Sequence, residues 1–104
     1  MNKSYKSMMV ILILVISLLF SSASGQQKQS ELYDRAISEY TMAIELNPNS
    51  AEAYFSRGFA YLEKGQYDQA ILDFNKALEI NPRYAAAYNS RAIAYYFKRE
   101  YEKS

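Results

Sequence analysis

The sequence predicts an all-α fold of antiparallel helix-turn-helix repeats forming a short superhelical stack. Residues 51–84, AEAYFSRGFAYLEKGQYDQAILDFNKALEINPRY, read as one complete 34-residue unit. Residues 33–50 (YDRAISEYTMAIELNPNS) match its second half, and residues 85–104 (AAAYNSRAIAYYFKREYEKS) match its first half plus a few residues. Self-similarity at this period marks stacked units that bury their apolar faces on one another. Apolar residues also recur three and four positions apart, the spacing of one helix face. The two prolines, Pro48 and Pro82, fall only at helix boundaries, and no alternating polar and apolar stretch competes as a strand.

Residues 1–25 differ from the rest. Lys3 and Lys6 precede a 13-residue apolar run, MMVILILVISLLF (8–20), and the small residues SSASG (21–25) follow. That three-part pattern is expected of a secretory signal peptide. Small residues allow cleavage after Ala23 or after Gly25. The expected location is secreted or periplasmic, with transient membrane contact through the signal segment only. The secondary reading is a membrane anchor at residues 8–20, although a span needs about 20 apolar residues. Residues 26–30, QQKQS, read as a polar linker.

The repeat region is expected over residues 31–104, as a second half-repeat (31–50), a full repeat (51–84) and a partial repeat (85–104). A first helix is predicted from Glu31 to Leu46, with Leu32, Ala36, Ile37, Tyr40, Ala43 and Ile44 on one face. Asn47-Pro48 stops it, because proline cannot continue a helix interior and restrains the residue before it. The next helix, 51–64, carries Tyr54, Gly58, Tyr61 and Leu62 on one face, and Gly65 is placed to close it in a left-handed conformation. A third, 67–80, carries Ala70, Ile71, Phe74, Ala77 and Leu78, and Asn81-Pro82 repeats the stop. The last runs from Arg83 or Ala85 to Arg99, with Tyr88, Ala92, Tyr95 and Tyr96 at periodic positions, before one turn of another helix. Connections this short force antiparallel hairpins.

Composition narrows the function classes. The formal net charge is +1, and setting aside Lys3 and Lys6 leaves 10 basic and 11 acidic residues. Neither balance makes a nucleic-acid footprint, which needs clustered positive charge. The chain has no cysteine and no histidine. Thiol catalysis, thiolate metal sites and the commonest general base are therefore absent. Asp68, Asp73 and Glu79 are spaced five and six apart and make no tight carboxylate pair. Gly25, Gly58 and Gly65 are isolated, so no phosphate loop is present. No catalytic residue, metal ligand or cofactor is expected.

The repeat resembles the tetratricopeptide repeat (TPR) family. That pattern wants an aromatic residue at repeat position 4, Leu at 7, Gly at 8, Tyr at 11, Ala at 20, Phe at 24, Ala at 27 and Pro at 32. The complete unit has Tyr54, Arg57, Gly58, Tyr61, Ala70, Phe74, Ala77 and Pro82 in these places, so only Arg57 departs. The upstream half supplies Ala36, Tyr40, Ala43 and Pro48; the downstream half supplies Tyr88, Arg91, Ala92 and Tyr95.

The resemblance implies a concave groove lined by the first helix of each repeat. Its positions correspond to Glu52, Phe55, Ser56, Phe59, Leu62 and Glu63, and in the partial repeat to Ala86, Asn89, Ser90, Ile93, Tyr96 and Phe97. Aromatic anchors in a groove can carry most of a contact's energy. Their alternative role is packing against a neighbouring copy, a missing repeat or each other. A carboxylate clamp for acidic C-terminal tails is not implied, because Ser56, Ala86 and Ser90 stand where it needs Asn, Lys and Arg. Two functions remain open. One is a non-enzymatic protein-protein interaction module that takes a protein or peptide partner in the groove. The other is a structural or self-associating unit, a fragment of a longer array with no independent ligand and a homo-oligomer through its exposed repeat ends.

Overall fold

The structure, a computed structural model, describes residues 2–103, and of residues 2–5 and 20–24 the backbone alone. It contains helices α1 (Asn2–Leu46), α2 (Ala51–Glu63), α3 (Tyr67–Ile80) and α4 (Ala85–Lys103), with no strand among the described residues. The chain divides into two units, residues 1–31 and 32–104.

In the first unit residues 2–31 are helical, and the apolar side chains described between Met8 and Leu19 are exposed. Residues 26–30, expected as a linker, are helical too. Nothing in QQKQS opposes a helix; Gly25 weakens one by about 1 kcal/mol relative to alanine without ending it. The side chains of Ser21 and Ala23, at the expected cleavage points, lie outside the described residues. One expectation is corrected. Transient membrane contact through this segment is contradicted, because no helix among the described residues is long and apolar enough to cross a membrane. The physical reason is length. The 13-residue run, twelve apolar residues and Ser17, spans about 20 Å of helix, against a hydrocarbon core of about 30 Å.

The second unit is built by three local signals. At the α1–α2 and α3–α4 boundaries the same turn recurs 34 residues apart. The Asn47 side-chain oxygen accepts from the Asn49 N–H at 3.2 Å, and that of Asn81 accepts from Arg83 at 3.1 Å. An Asn side chain thus mimics a backbone turn just where Pro has ended the helix. Ser50 then caps α2, its hydroxyl accepting from the Ala53 N–H at 3.1 Å and filling one of the donors a helix start leaves unpaired.

The third signal is Gly65, at φ +78°, the positive-φ residue between α2 and α3. Its N–H donates to the Leu62 carbonyl at 3.0 Å, and the Gln66 N–H donates to Tyr61 at 2.9 Å. This pair of bonds ends a helix in a left-handed residue, where a Cβ costs about 1–2 kcal/mol. One repeat later the same position is Arg99. There α4 does not stop, as expected from the repeat spacing, but continues to Lys103. Without glycine, continuing the helix is cheaper than entering the left-handed region.

Packing follows from the small residues. A Cβ on Gly58 would lie 2.9 Å from the Phe74 ring and 3.0 Å from the Asp73 Cβ, so glycine is what lets α2 cross α3 closely. Phe74 is fully buried and centres a cluster with Leu62, Ala70, Ile71 and Ala94. A second cluster joins Ala77, Leu78 and Ala87 beneath Tyr54, Phe55 and Tyr84. On α4 the buried side chains are Ala87, Ser90 and Ala94, which bring that helix against α3.

Candidate protein-binding groove

Of the groove positions expected on α2, Phe55, Ser56 and Phe59 come together. They line an apolar hollow of about 250 Å³ with Ala60, Tyr33, Ala36 and Tyr40. Phe59 is 45 % exposed, whereas Phe55 leans inward. The Phe55 ring lies 5.0 Å from Tyr84, 5.7 Å from Phe74 and 6.4 Å from Phe59, so it links the hollow to the core. Leu62 is a core residue at 8 % exposure. Glu52 is exposed, and its charge adds to burial in raising the Tyr84 phenol above its ordinary range.

On α4, Asn89 and Ile93 are exposed. Tyr96 and Phe97 form an edge-on pair at 5.5 Å, and Phe97 stacks on Tyr67 at 5.9 Å. Tyr96 occupies the repeat position that Leu62 fills in the core, yet it is 60 % exposed.

Three lining residues were missed by the sequence reading: Tyr33, Ala36 and Tyr40. The resemblance directed attention to the first helix of each repeat, and these stand on the second helix of the upstream half-repeat. The available signal was two tyrosines seven residues apart with Ala36 between them, two turns along one face. Polar contacts frame this wall. The Tyr33 hydroxyl donates to Glu63 Oε2 at 3.4 Å, and Lys64 pairs with Asp34. One repeat on, Lys98 pairs with Asp68 at 2.8 Å, so the same lysine–aspartate link recurs between successive repeats. The Lys98 ammonium is raised above its ordinary value first by that hydrogen bond and then by the Asp68 charge.

Arg57, the one departure from the repeat pattern, is explained by Asp73. Its Nε and Nη2 donate to Asp73 Oδ2 and Oδ1, both at 2.8 Å, and Nη1 donates to Thr41 Oγ1 at 3.2 Å. The guanidinium also lies 5.7 Å from the centre of the Tyr54 ring. The Asp73 hydrogen bonds raise the Arg57 pKa, against the lowering effect of burial. A raised basic group gives its stabilisation in full below its ordinary pKa and loses it only as pH climbs through the raised value. The pair therefore holds across the whole physiological range. In place of the usual leucine, arginine here ties α2 to Asp73 of α3 and to Thr41 of α1.

No group of three or more His, Cys, Asp or Glu side chains among the described residues could hold a metal ion. Family models described as Tetratricopeptide repeat match residues 51–84 and 74–104, and one described as TPR repeat matches residues 28–65. Together these matches reach from residue 28 to residue 104. That repeat is a non-catalytic scaffold. No curated protein matches the chain.

Proposed function

We propose, from the premise that the chain belongs to the tetratricopeptide repeat family, that it is a non-enzymatic module for protein-protein interaction. Its partner is a protein or peptide segment that seats an apolar side chain between Tyr33, Tyr40 and Phe59. The observation that carries this reading is the open hollow of about 250 Å³ beside half-exposed Phe59. An aromatic-walled recess of that size accepts one large side chain, and burying such an anchor dominates the energy of many interfaces. The balanced charge and the absence of clustered cations favour a protein over a nucleic acid.

Peptides selected from a random library on the immobilised chain should bind Phe59→Ala about 30-fold more weakly, the equivalent of roughly 2 kcal/mol for a lost anchor. Equal binding of the selected peptides to both proteins overturns this use of the hollow. A second reading, a self-associating repeat unit, is supported by exposed Leu32, Tyr40 and Met42 on residues 32–46.

Export to a secreted or periplasmic location is the reading of residues 1–25 best supported by the order of Lys3 and Lys6, the apolar run and SSASG. The mature chain should then begin at Ser24 or Gln26 on N-terminal sequencing of the exported protein. Recovery of the chain with residues 1–23 intact would refute it.

A further inference from the structure

We propose that the segment seated in the hollow is cationic: a large apolar side chain with a lysine or arginine two residues to either side, lying extended along α2. This rests on the groove reading above and adds to it the charge of the partner. On α2, Glu52, Phe55, Ser56, Phe59 and Glu63 follow at intervals of three, one, three and four residues. With 3.6 residues per turn they share one stripe about 100° wide. The two phenylalanines of the groove therefore stand between two glutamates on the same helix face.

Both carboxylates border the hollow. Tyr33 lines it, and its hydroxyl donates to Glu63 Oε2 at 3.4 Å. At the other end the Glu52 charge is felt by the Tyr84 phenol, and the Tyr84 ring lies 5.0 Å from Phe55. Glu52 and Glu63 are exposed, and neither takes part in an ion pair among the described residues. The cations of the two walls are already paired or turned away. Arg57 is held by Asp73 and Lys64 by Asp34. Arg35, the only basic residue within residues 32–46, stands about half a turn round the helix from Tyr33 and Tyr40. A basic segment therefore meets opposite charge at both ends of the hollow, whereas an acidic one meets like charge, which is penalised.

The spacing sets the pattern of the partner. Glu52 and Glu63 are eleven residues apart, about 16 Å along the helix. Phe55 and Phe59 lie between them, so each charge is about 8 Å from a side chain seated at their midpoint. In an extended segment, residues two apart point to the same side and are about 7 Å apart. The flexible stem of lysine or arginine covers the remainder. The order is therefore basic, any residue, large apolar, any residue, basic. Charges at such a solvated rim contribute little each, and they select among partners more than they hold one.

Peptide selection on the full chain tests this. Peptides taken from a random library should carry Lys or Arg two residues before and after a large apolar residue, and Phe59→Ala should weaken their binding. Replacing both basic residues of a selected peptide by Gln should weaken binding about fivefold, and replacing them by Glu should weaken it further. The preference should shrink at about 1 M salt, where the Debye length falls to about 3 Å. Against the double variant Glu52→Gln, Glu63→Gln, with helicity checked by circular dichroism, the basic, neutral and acidic peptides should bind alike. Equal binding of the three to the wild type overturns the proposal, and if Phe59→Ala still weakens them all, the groove reading stands. A preference that survives the double variant also overturns it, because the charge then acts elsewhere. Selected peptides indifferent to Phe59→Ala overturn both readings. Self-association of the full chain that Phe59→Ala abolishes overturns the proposal as well, since a second copy then fills the hollow.

Discussion

Phe74→Ala is expected to lower the stability of residues 32–104 by about 3–5 kcal/mol, the range for emptying a fully buried phenylalanine site. Phe74 is 0 % exposed and touches the elements on both sides of it: Gly58 on α2, the Phe55 ring and the cluster that includes Ala94 of α4. Leu62, Ile71 and the Phe55 ring border the space, but each is already packed in the same cluster, so the site collapses only in part. A region of this size holds about 4–11 kcal/mol in total at 0.05–0.15 kcal/mol per residue. The substitution should therefore leave much of it unfolded at room temperature. Urea denaturation followed by circular dichroism measures this directly, and a loss below about 1 kcal/mol would show that α2, α3 and α4 are not held together through this ring.

Arg57→Leu should cost about 2–4 kcal/mol even though leucine is what the repeat pattern places there. The cost comes from the partner left behind. Asp73, with its side chain 7 % exposed, would lose both guanidinium donors and remain a carboxylate out of water. Breaking one side of a buried ion pair typically costs 3–5 kcal/mol; partial exposure of Arg57 puts this case lower. Adding Asp73→Leu to the same chain should recover most of the loss, because an apolar pair of similar volume is often neutral against a buried ion pair. A double-mutant cycle checks both statements. Additive losses would mean that the two side chains are not energetically coupled in the fold.

Where the sequence was legible, the reason was local chemistry. Asn47-Pro48 and Asn81-Pro82 marked the helix ends because proline removes a donor and fixes its own backbone. Gly65 marked the α2–α3 turn because the chain reverses there through a left-handed residue. Helix α3 runs from Tyr67 to Ile80, as the spacing of its apolar residues required. The same logic accounts for the extension of α4, once Arg99 is compared with Gly65. Of the expected groove, Phe55, Ser56 and Phe59 meet around one hollow, while Leu62 turns into the core.

The sequence by itself determined the class, the period and the register of this protein, because the class follows from side chains three and four residues apart and the period and register from their recurrence 34 residues on. Which apolar residues stay open to a partner was decided only in the tertiary structure. Tyr40 and Phe74 are equivalent in register, as are Tyr96 and Leu62; one of each pair is buried and the other is not. The difference lies in whether a neighbouring helix covers the face, and that depends on packing between segments, not on the pattern within either one. Arg57 makes the same point. It looked like a defect in the repeat until Asp73, sixteen residues away in sequence, was seen to hold it with two hydrogen bonds.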